Sequence, residues 1–229
     1  MSKLPTHIPV IAIDGPSASG KGSVAELVAE ALGFHYLDSG AIYRIVAYAS
    51  KEQRIAWNQA EAIAALVSQL SIQFVHGEIL LNGANISMLV RSEEMGRGAS
   101  EVAVHPAVRN ALLDLQKSFR KAPGLVGDGR DMASVVFPDA ILKIFLTAGV
   151  EIRAQRRFEQ LRNRGLDANY ETILQDLQTR DLRDSQRSAA PLKQVQDALL
   201  LDTSDKTIQQ AVDFVLDAYQ ECLNSYKKT

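Results

Sequence analysis

Nine consecutive residues, Gly15-Pro16-Ser17-Ala18-Ser19-Gly20-Lys21-Gly22-Ser23, combine three glycines, three hydroxyls and one lysine. Glycines let successive backbone N–H groups converge on phosphate oxygens, a lysine adds a point charge, and the N-terminus of the helix that follows adds the positive end of its dipole. That chemistry suits the β and γ phosphates of a nucleoside triphosphate. The string departs from G-x-x-x-x-G-K-[ST] at its end. Gly22 takes the position at which a hydroxyl normally holds Mg2+, and Ser23 follows one residue later. Whether Ser23 would hold the metal directly or through water stays open.

A second group lies in Leu125-Val126-Gly127-Asp128-Gly129-Arg130-Asp131, where two carboxylates and an arginine are expected just past a strand. In open α/β sheets ligands bind at that edge, and a carboxylate there can hold the waters of a Mg2+ ion. A third group is arginine-rich: eight arginines and no lysine fall between Arg153 and Arg187. Arg153, Arg156 and Arg157 share one helix face, and the spacing puts Arg180, Arg183, Asp184 and Arg187 on another. Arginine offers phosphates a planar fork of donors. The two ladders could close on a polyphosphate or form exposed helices laced with ion pairs, since Glu159, Asp167, Glu171, Asp176, Asp181 and Asp184 lie among them.

The elements needed to place these groups are visible as alternating patterns. Pro9 to Ile13 reads as a buried strand, followed by the loop and then by a helix with its stripe at Val24, Leu27, Val28, Ala31 and Leu32 and a capping glycine at Gly33. Phe34 to Leu37 gives a second strand, and Ile42, Ile45, Val46 and Ala49 the next helix. Leu125 to Gly127, Ile141 to Leu146 and Ala198 to Leu201 read as further buried strands, making five in a doubly wound parallel sheet. Ser71 to Ile86 breaks the pattern. Its short strands are split by His76-Gly77 and by Asn82-Gly83, a hairpin signal, so a small antiparallel insert over about 65–105 is expected. A helix from about Asn58, with Glu61 completing a capping box, and another from about Arg91 should flank it.

Composition narrows the classes. The 229 residues are 46% hydrophobic and 23% charged with a formal charge of −2, as in an ordinary globular domain without a chain-wide field for nucleic acid. No apolar run reaches the ~18 residues of a membrane helix, and the start lacks a signal-peptide core, so a cytoplasmic protein with no membrane partner is expected. Cys222 is the only cysteine, and His7, His35, His76 and His105 are scattered, which argues against a disulfide or a zinc site. These residues and Trp57 read as structural.

A GTPase would carry N-K-x-D and D-x-x-G, and neither string occurs. A small kinase uses all three groups: the loop for its donor, arginines for the acceptor phosphate, and a lid against water. IDGPSASGKGS, LDSGAIYR, GDGRDMASVVFPDA and RDLRDSQRSAAPL together resemble the bacterial cytidylate kinases, from about residue 8 to the C-terminus. Ala18-Ser19, Ser23 and Ala133-Ser134 stand where that family often has Gly-Ala, Thr and Gly-Thr.

The resemblance implies a P-loop NTPase fold in which a five-stranded parallel sheet carries an antiparallel NMP-binding insert and a helical lid over about 153–167. It implies ATP-dependent phosphorylation of CMP and dCMP with Mg2+, by a chain in which nothing demands more than a monomer. By the same resemblance Ser39, Arg44, Arg130 and Arg187 would meet the acceptor phosphate, Ser100, Arg109 and Asp131 the cytosine, and Arg180 and Asp184 the ribose. Lys21, Asp128, Arg130, Arg157 and Arg187 would serve catalysis, and Gly15 to Ser23 would hold ATP, with Ser23 toward the metal. Another small-molecule kinase, such as a uridylate or shikimate kinase, and a catalytically silent nucleotide-binding protein are the alternatives.

Overall fold

The computed structural model describes residues 8–75 and 78–226. His7, His76 and the expected His76-Gly77 break lie outside the described residues. Along the chain come β1 (Val10–Asp14), α1 (Lys21–Leu32), β2 (His35–Asp38), α2 (Ser39–Glu52) and α3 (Ala60–Val67). Next are β3 (Ile72–Val75), β4 (Glu78–Leu81), β5 (Ala84–Asn85), α4 (Ser87–Val90), α5 (Glu93–Val102) and α6 (Pro106–Ser118). The chain closes with β6 (Leu125–Gly129), a π-helical turn (Met132–Val136), β7 (Leu142–Thr147), α7 (Val150–Asn163), α8 (Tyr170–Gln186), β8 (Leu199–Asp202) and α9 (Ile208–Tyr226). These elements form two compact units, one of residues up to Leu37 and from Phe119 onward, the other Asp38–Ser118.

In the first unit the five-stranded sheet has the order β2-β6-β1-β7-β8. β1 pairs in parallel with β6 and β7, aligning Asp14 with Gly129 and with Phe145, and β7 pairs in parallel with β8. Central β1 and β6 are buried at every position, as expected of strands covered on both faces. Ile11, Ile13, Val126, Ile144 and Leu146 pack against Val24 and Val28 of α1 and Val212 and Val215 of α9. Gly33 ends α1 in the left-handed conformation (φ 64°), as its place after the apolar stripe predicts. The last strand differs from expectation. Leu199 and Leu200 are 44% and 55% exposed and only Leu201 is buried, because β8 is an edge strand rather than an interior one.

The second unit holds the antiparallel sheet β3-β4-β5, whose tight turn is made by Asn82 and Gly83 at φ 50° and 84°. Its core joins Ile45 and Ala49 of α2 to Leu66, Ile79, Leu81 and Val90. The expected capping box at Asn58 is absent: α3 begins at Ala60, and Gln59 turns its side chain back to accept from the Ala56 amide. α5 begins instead with a true cap, the Ser92 hydroxyl accepting from the Met95 amide. Trp57 packs as expected, donating from its indole to the Ala47 carbonyl. Cys222 is half-buried against the core of the first unit.

Candidate active site

The loop leaving β1 is held so tightly that a Cβ on Gly15 would stand 1.9 Å from the Leu146 carbonyl oxygen. Only glycine lets the chain turn there. The loop closes on itself through the Ser19 hydroxyl, which donates to the Pro16 carbonyl at 3.0 Å. No side chain caps the start of α1, and its first turn carries no acid. The amides that would normally be satisfied by a cap therefore present positive charge to whatever occupies the loop, and Lys21 stands on the same turn.

A phosphate loop must also turn its carbonyls away from the anion, and three donors do this here. Arg153 donates to the Ser17 carbonyl at 3.1 Å while its fork meets both oxygens of Asp181 at 3.1 and 2.5 Å. Arg156 donates to the Ser19 carbonyl at 3.4 Å and to Thr203 through its carbonyl at 2.5 Å and hydroxyl at 3.2 Å. The Thr203 hydroxyl itself lies 3.2 Å from the Ser19 carbonyl. Thus the first two arginines of the α7 ladder brace the loop from outside, while Arg157 donates to Gln160.

The segment after β6 supplies the other charges. Asp128 lies within the strand rather than past its end, is buried, and accepts from the Tyr36 hydroxyl at 2.9 Å. A Cβ on Gly22 would come within 3.1 Å of that carboxylate and 3.6 Å of the Tyr36 oxygen. The missing side chain at position 22 thus leaves space between the start of α1 and an anionic oxygen. No cluster of three or more His, Cys, Asp or Glu able to cage a metal occurs among the described residues. One carboxylate beside a phosphate loop is the donor set that Mg2+ uses when the substrate's phosphates supply its remaining ligands, so the residues fit that ion.

Arg130 donates to Asp184 at 2.8 Å and to the Ser17 hydroxyl at 2.7 Å, tying β6, α8 and the loop together. Burial alone would lower its pKa, but Asp184, Asp128 and Asp14 outweigh burial and move it upward, so the guanidinium stays charged. Asp131 and Arg187 are both buried, 3.9 Å apart, and Arg187 also donates to the Ala190 carbonyl at 2.6 Å. Arg187 does not continue the α8 face as its spacing predicted. It caps the helix with extended backbone (ψ 140°), which redirects its side chain. Arg180 lies on α8, half-buried.

In the second unit Ser39 opens α2 beneath the Asp38 cap, and its hydroxyl accepts from Gln116 at 2.8 Å. Arg44 donates to the Val90 and Ser92 carbonyls at 3.2 and 2.9 Å. Arg109 is buried, donates to the Ala103 carbonyl at 3.3 Å, and lies over the Tyr43 ring. The Ser100 hydroxyl is buried with no hydrogen-bond partner among the described residues.

Sequence reasoning did not give Asp14, Tyr36, Gln116, Asp181 or Thr203 a role. Asp14 is the most consequential of them. Its two oxygens accept the Met132 and Ala133 amides, each at 2.8 Å, and burial followed by the neighbouring Asp131 pushes its pKa up to about 7 against the pull of those amides and of Arg130. A polar residue closing an otherwise apolar strand directly before the loop was the available signal.

A parallel sheet, a phosphate loop on its central strand and arginines bracing that loop define a P-loop phosphotransferase. A family model described as cytidylate kinase matches residues 11–221. The cytidylate kinase of Polynucleobacter necessarius is 58% identical over 211 residues, covering 92% of this chain and 98% of the relative. That of Cupriavidus necator is 55% identical, with 93% and 96% covered, and that of Burkholderia thailandensis 56% identical, with 96% and 97% covered. The chain belongs to the cytidylate kinase family.

Proposed function

We propose that the protein transfers the γ-phosphoryl group of ATP to CMP and dCMP, giving CDP and dCDP. The observation that carries this reading is the loop at residues 15–23 of a cytidylate-kinase-family chain, with its carbonyls turned outward by Arg153, Arg156 and Thr203 and its helix start left uncapped.

In this reading the loop amides and Lys21 hold the donor phosphates. Ser39, Arg44, Arg130 and Arg187 bind the acceptor phosphate, Ser100, Arg109 and Asp131 read cytosine, and Arg180 and Asp184 orient the ribose. No general base is needed, because a nucleoside monophosphate with a second pKa near ~6 is largely a dianion at neutral pH and already nucleophilic. The chain's work is alignment and charge cancellation. Lys21 and Arg157 absorb charge that shifts with the moving phosphoryl group, and Arg130 and Arg187 keep two dianions in reach of each other. Ser23 and Asp128 would hold Mg2+, which when bound neutralises the β and γ phosphates. The segment 65–105 serves as the NMP-binding insert and 153–167 as a lid that keeps water from the phosphoryl group. The enzyme works as a cytoplasmic monomer; no described helix is long and apolar enough to cross a membrane.

Among acceptors, cytosine is favoured because a carboxylate accepts from its N4 amino group, whereas uracil presents a carbonyl at that edge. ADP release measured with CMP, dCMP, UMP, AMP and shikimate tests the assignment. Turnover with CMP and dCMP far above the other three is expected. Preference for UMP or shikimate would replace the substrate, and no turnover with any of them would make the chain a binding protein.

A further inference from the structure

The turn that carries Asp131 is built in an unusual way. An aspartate at the start of a helical turn ordinarily folds its carboxylate back onto the first amides, satisfying donors that have no partner within the turn. Asp131 occupies that starting position before the π-helical turn, yet its side chain makes no capping bond. The amides of Met132 and Ala133 are satisfied instead by Asp14, 118 and 119 residues earlier in the chain. The Asp131 backbone carbonyl still closes the turn, accepting from Val135 and Val136 at 2.9 and 3.2 Å. Its carboxylate is thereby directed elsewhere, toward Arg187 at 3.9 Å.

We propose that Asp14 is a positioning residue for cytosine recognition: by taking over the cap of the Met132–Val136 turn it keeps the Asp131 carboxylate directed at the base instead of at its own backbone. This rests on the reading of Asp131 as the acceptor from cytosine N4. Asp14 is 3% exposed and touches no part of the substrate in this scheme; it acts through the turn. Asp14 and Asp131 are both buried, and the Asp131 charge works against ionisation of Asp14, so keeping both carboxyls at one turn is explained if each has a separate task. Were Asp14 absent, the two amides would be open to the Asp131 carboxylate, which stands in the ordinary capping position before the turn.

The test is a double-mutant cycle on the full chain, reading kcat/KM for CMP and for UMP in wild type, Asp14→Asn, Asp131→Asn and the double variant. An amide at position 14 can accept from one of the two N–H groups but not from both. Asp131→Asn is expected to lower the CMP-to-UMP ratio by at least about tenfold, and Asp14→Asn by about three- to tenfold with KM for ATP within about twofold of wild type. The double variant should match Asp131→Asn alone, because residues acting through one another are not additive. If Asp131→Asn lowers the ratio and Asp14→Asn leaves it unchanged, or if the two effects multiply, the positioning role is overturned. If Asp131→Asn itself leaves the ratio unchanged, the fault lies in the base-reading assignment and the inference falls with it. A merely structural Asp14 would lower activity with both nucleotides and raise KM for ATP alike. Should Asp14→Asn not fold, Asp14→Glu carries the same comparison, since it keeps the carboxylate but moves its oxygens away from the Met132 and Ala133 amides.

Discussion

The two compact units hold their candidate site residues by different means. In the first, ion pairs hold several of them and the loop beside them: Arg130 meets Asp184 and also donates to Ser17, Arg187 lies beside Asp131, and the loop's brace Arg153 meets Asp181. In the second, Arg44 and Arg109 rest on backbone carbonyls and Ser39 on the amide of Gln116. Cross-linked charges fix a rigid cradle and are costly to break, because removing one partner strands a buried ion. A carbonyl or amide contact costs less to lose than a buried ion pair, because it strands no second charge. The donor loop thus shares the stiff mounting with Arg130, Asp131, Arg180, Asp184 and Arg187 of the proposed acceptor contacts, and Ser39, Arg44, Ser100 and Arg109 have the adaptable one.

The largest consequence of the stiff mounting is a stability that depends on pH through Asp14. Its pKa is about 7 in the fold against 3.8 in the unfolded chain, with burial and Asp131 acting upward and Arg130 and two amides downward. Between these values the native state binds the extra proton, so stability from this group is full below pH 3.8 and is lost as pH rises to about 7. The displacement corresponds to about 4 kcal/mol. Urea unfolding of wild type and Asp14→Asn from pH 4 to 8 should show the difference between them shrinking by that order as pH rises. A constant difference would mean that Asp14 is ionised throughout.

Lys21→Ala should come next in size, at about 3 to 4 kcal/mol of lost transition-state stabilisation, a hundred- to thousandfold in turnover. CMP binding and the fold should be little changed, since the braces on the loop come from Arg153, Arg156 and Thr203. Steady-state kinetics with calorimetric CMP titration checks this, and near-wild-type turnover would remove Lys21 from the donor site.

Arg187→Lys sharpens the contrast further. Lysine keeps the charge but cannot both donate to Ala190 and offer a planar fork beside Asp131. KM for CMP should rise about tenfold, close to 1.4 kcal/mol. If Arg187→Lys is indistinguishable from wild type while Arg187→Ala is crippled, charge alone suffices.

How much of this was legible in the sequence follows the same division. The loop at 15–23, the strand before it and the Asn82-Gly83 hairpin are contiguous strings whose chemistry is local, and each was readable. The Asp14 cap spans 118 residues and ends on backbone amides, which carry no sequence signature. Arg153 and Arg156 were noticed as a ladder, but their partners are carbonyls of Ser17 and Ser19, so spacing alone could not separate a brace from a substrate contact. Arg187 was placed on a helix face by periodicity, which cannot anticipate that the backbone turns extended at that residue. In the second unit only the family resemblance proposes Ser39, Ser100 and Arg109, because a lone serine or arginine in a helix has no distinctive spacing.

The smallest effect should come from Ser100, and its two readouts should move in opposite directions. Its hydroxyl is buried in α5 with no hydrogen-bond partner among the described residues, and a stranded polar group of this kind costs stability. Alanine keeps the Cβ and removes the stranded oxygen, so Ser100→Ala should stabilise the fold by up to about 1 kcal/mol. If the hydroxyl is reserved for the acceptor nucleotide, the same change deletes one neutral hydrogen bond from the complex and raises KM for CMP about fivefold, with KM for ATP unchanged. A gain in thermal midpoint together with weaker CMP binding would mark Ser100 as a contact whose partner arrives with the substrate. A gain with no change in KM for CMP would mark it as a packing residue and leave cytosine recognition to Arg109 and Asp131.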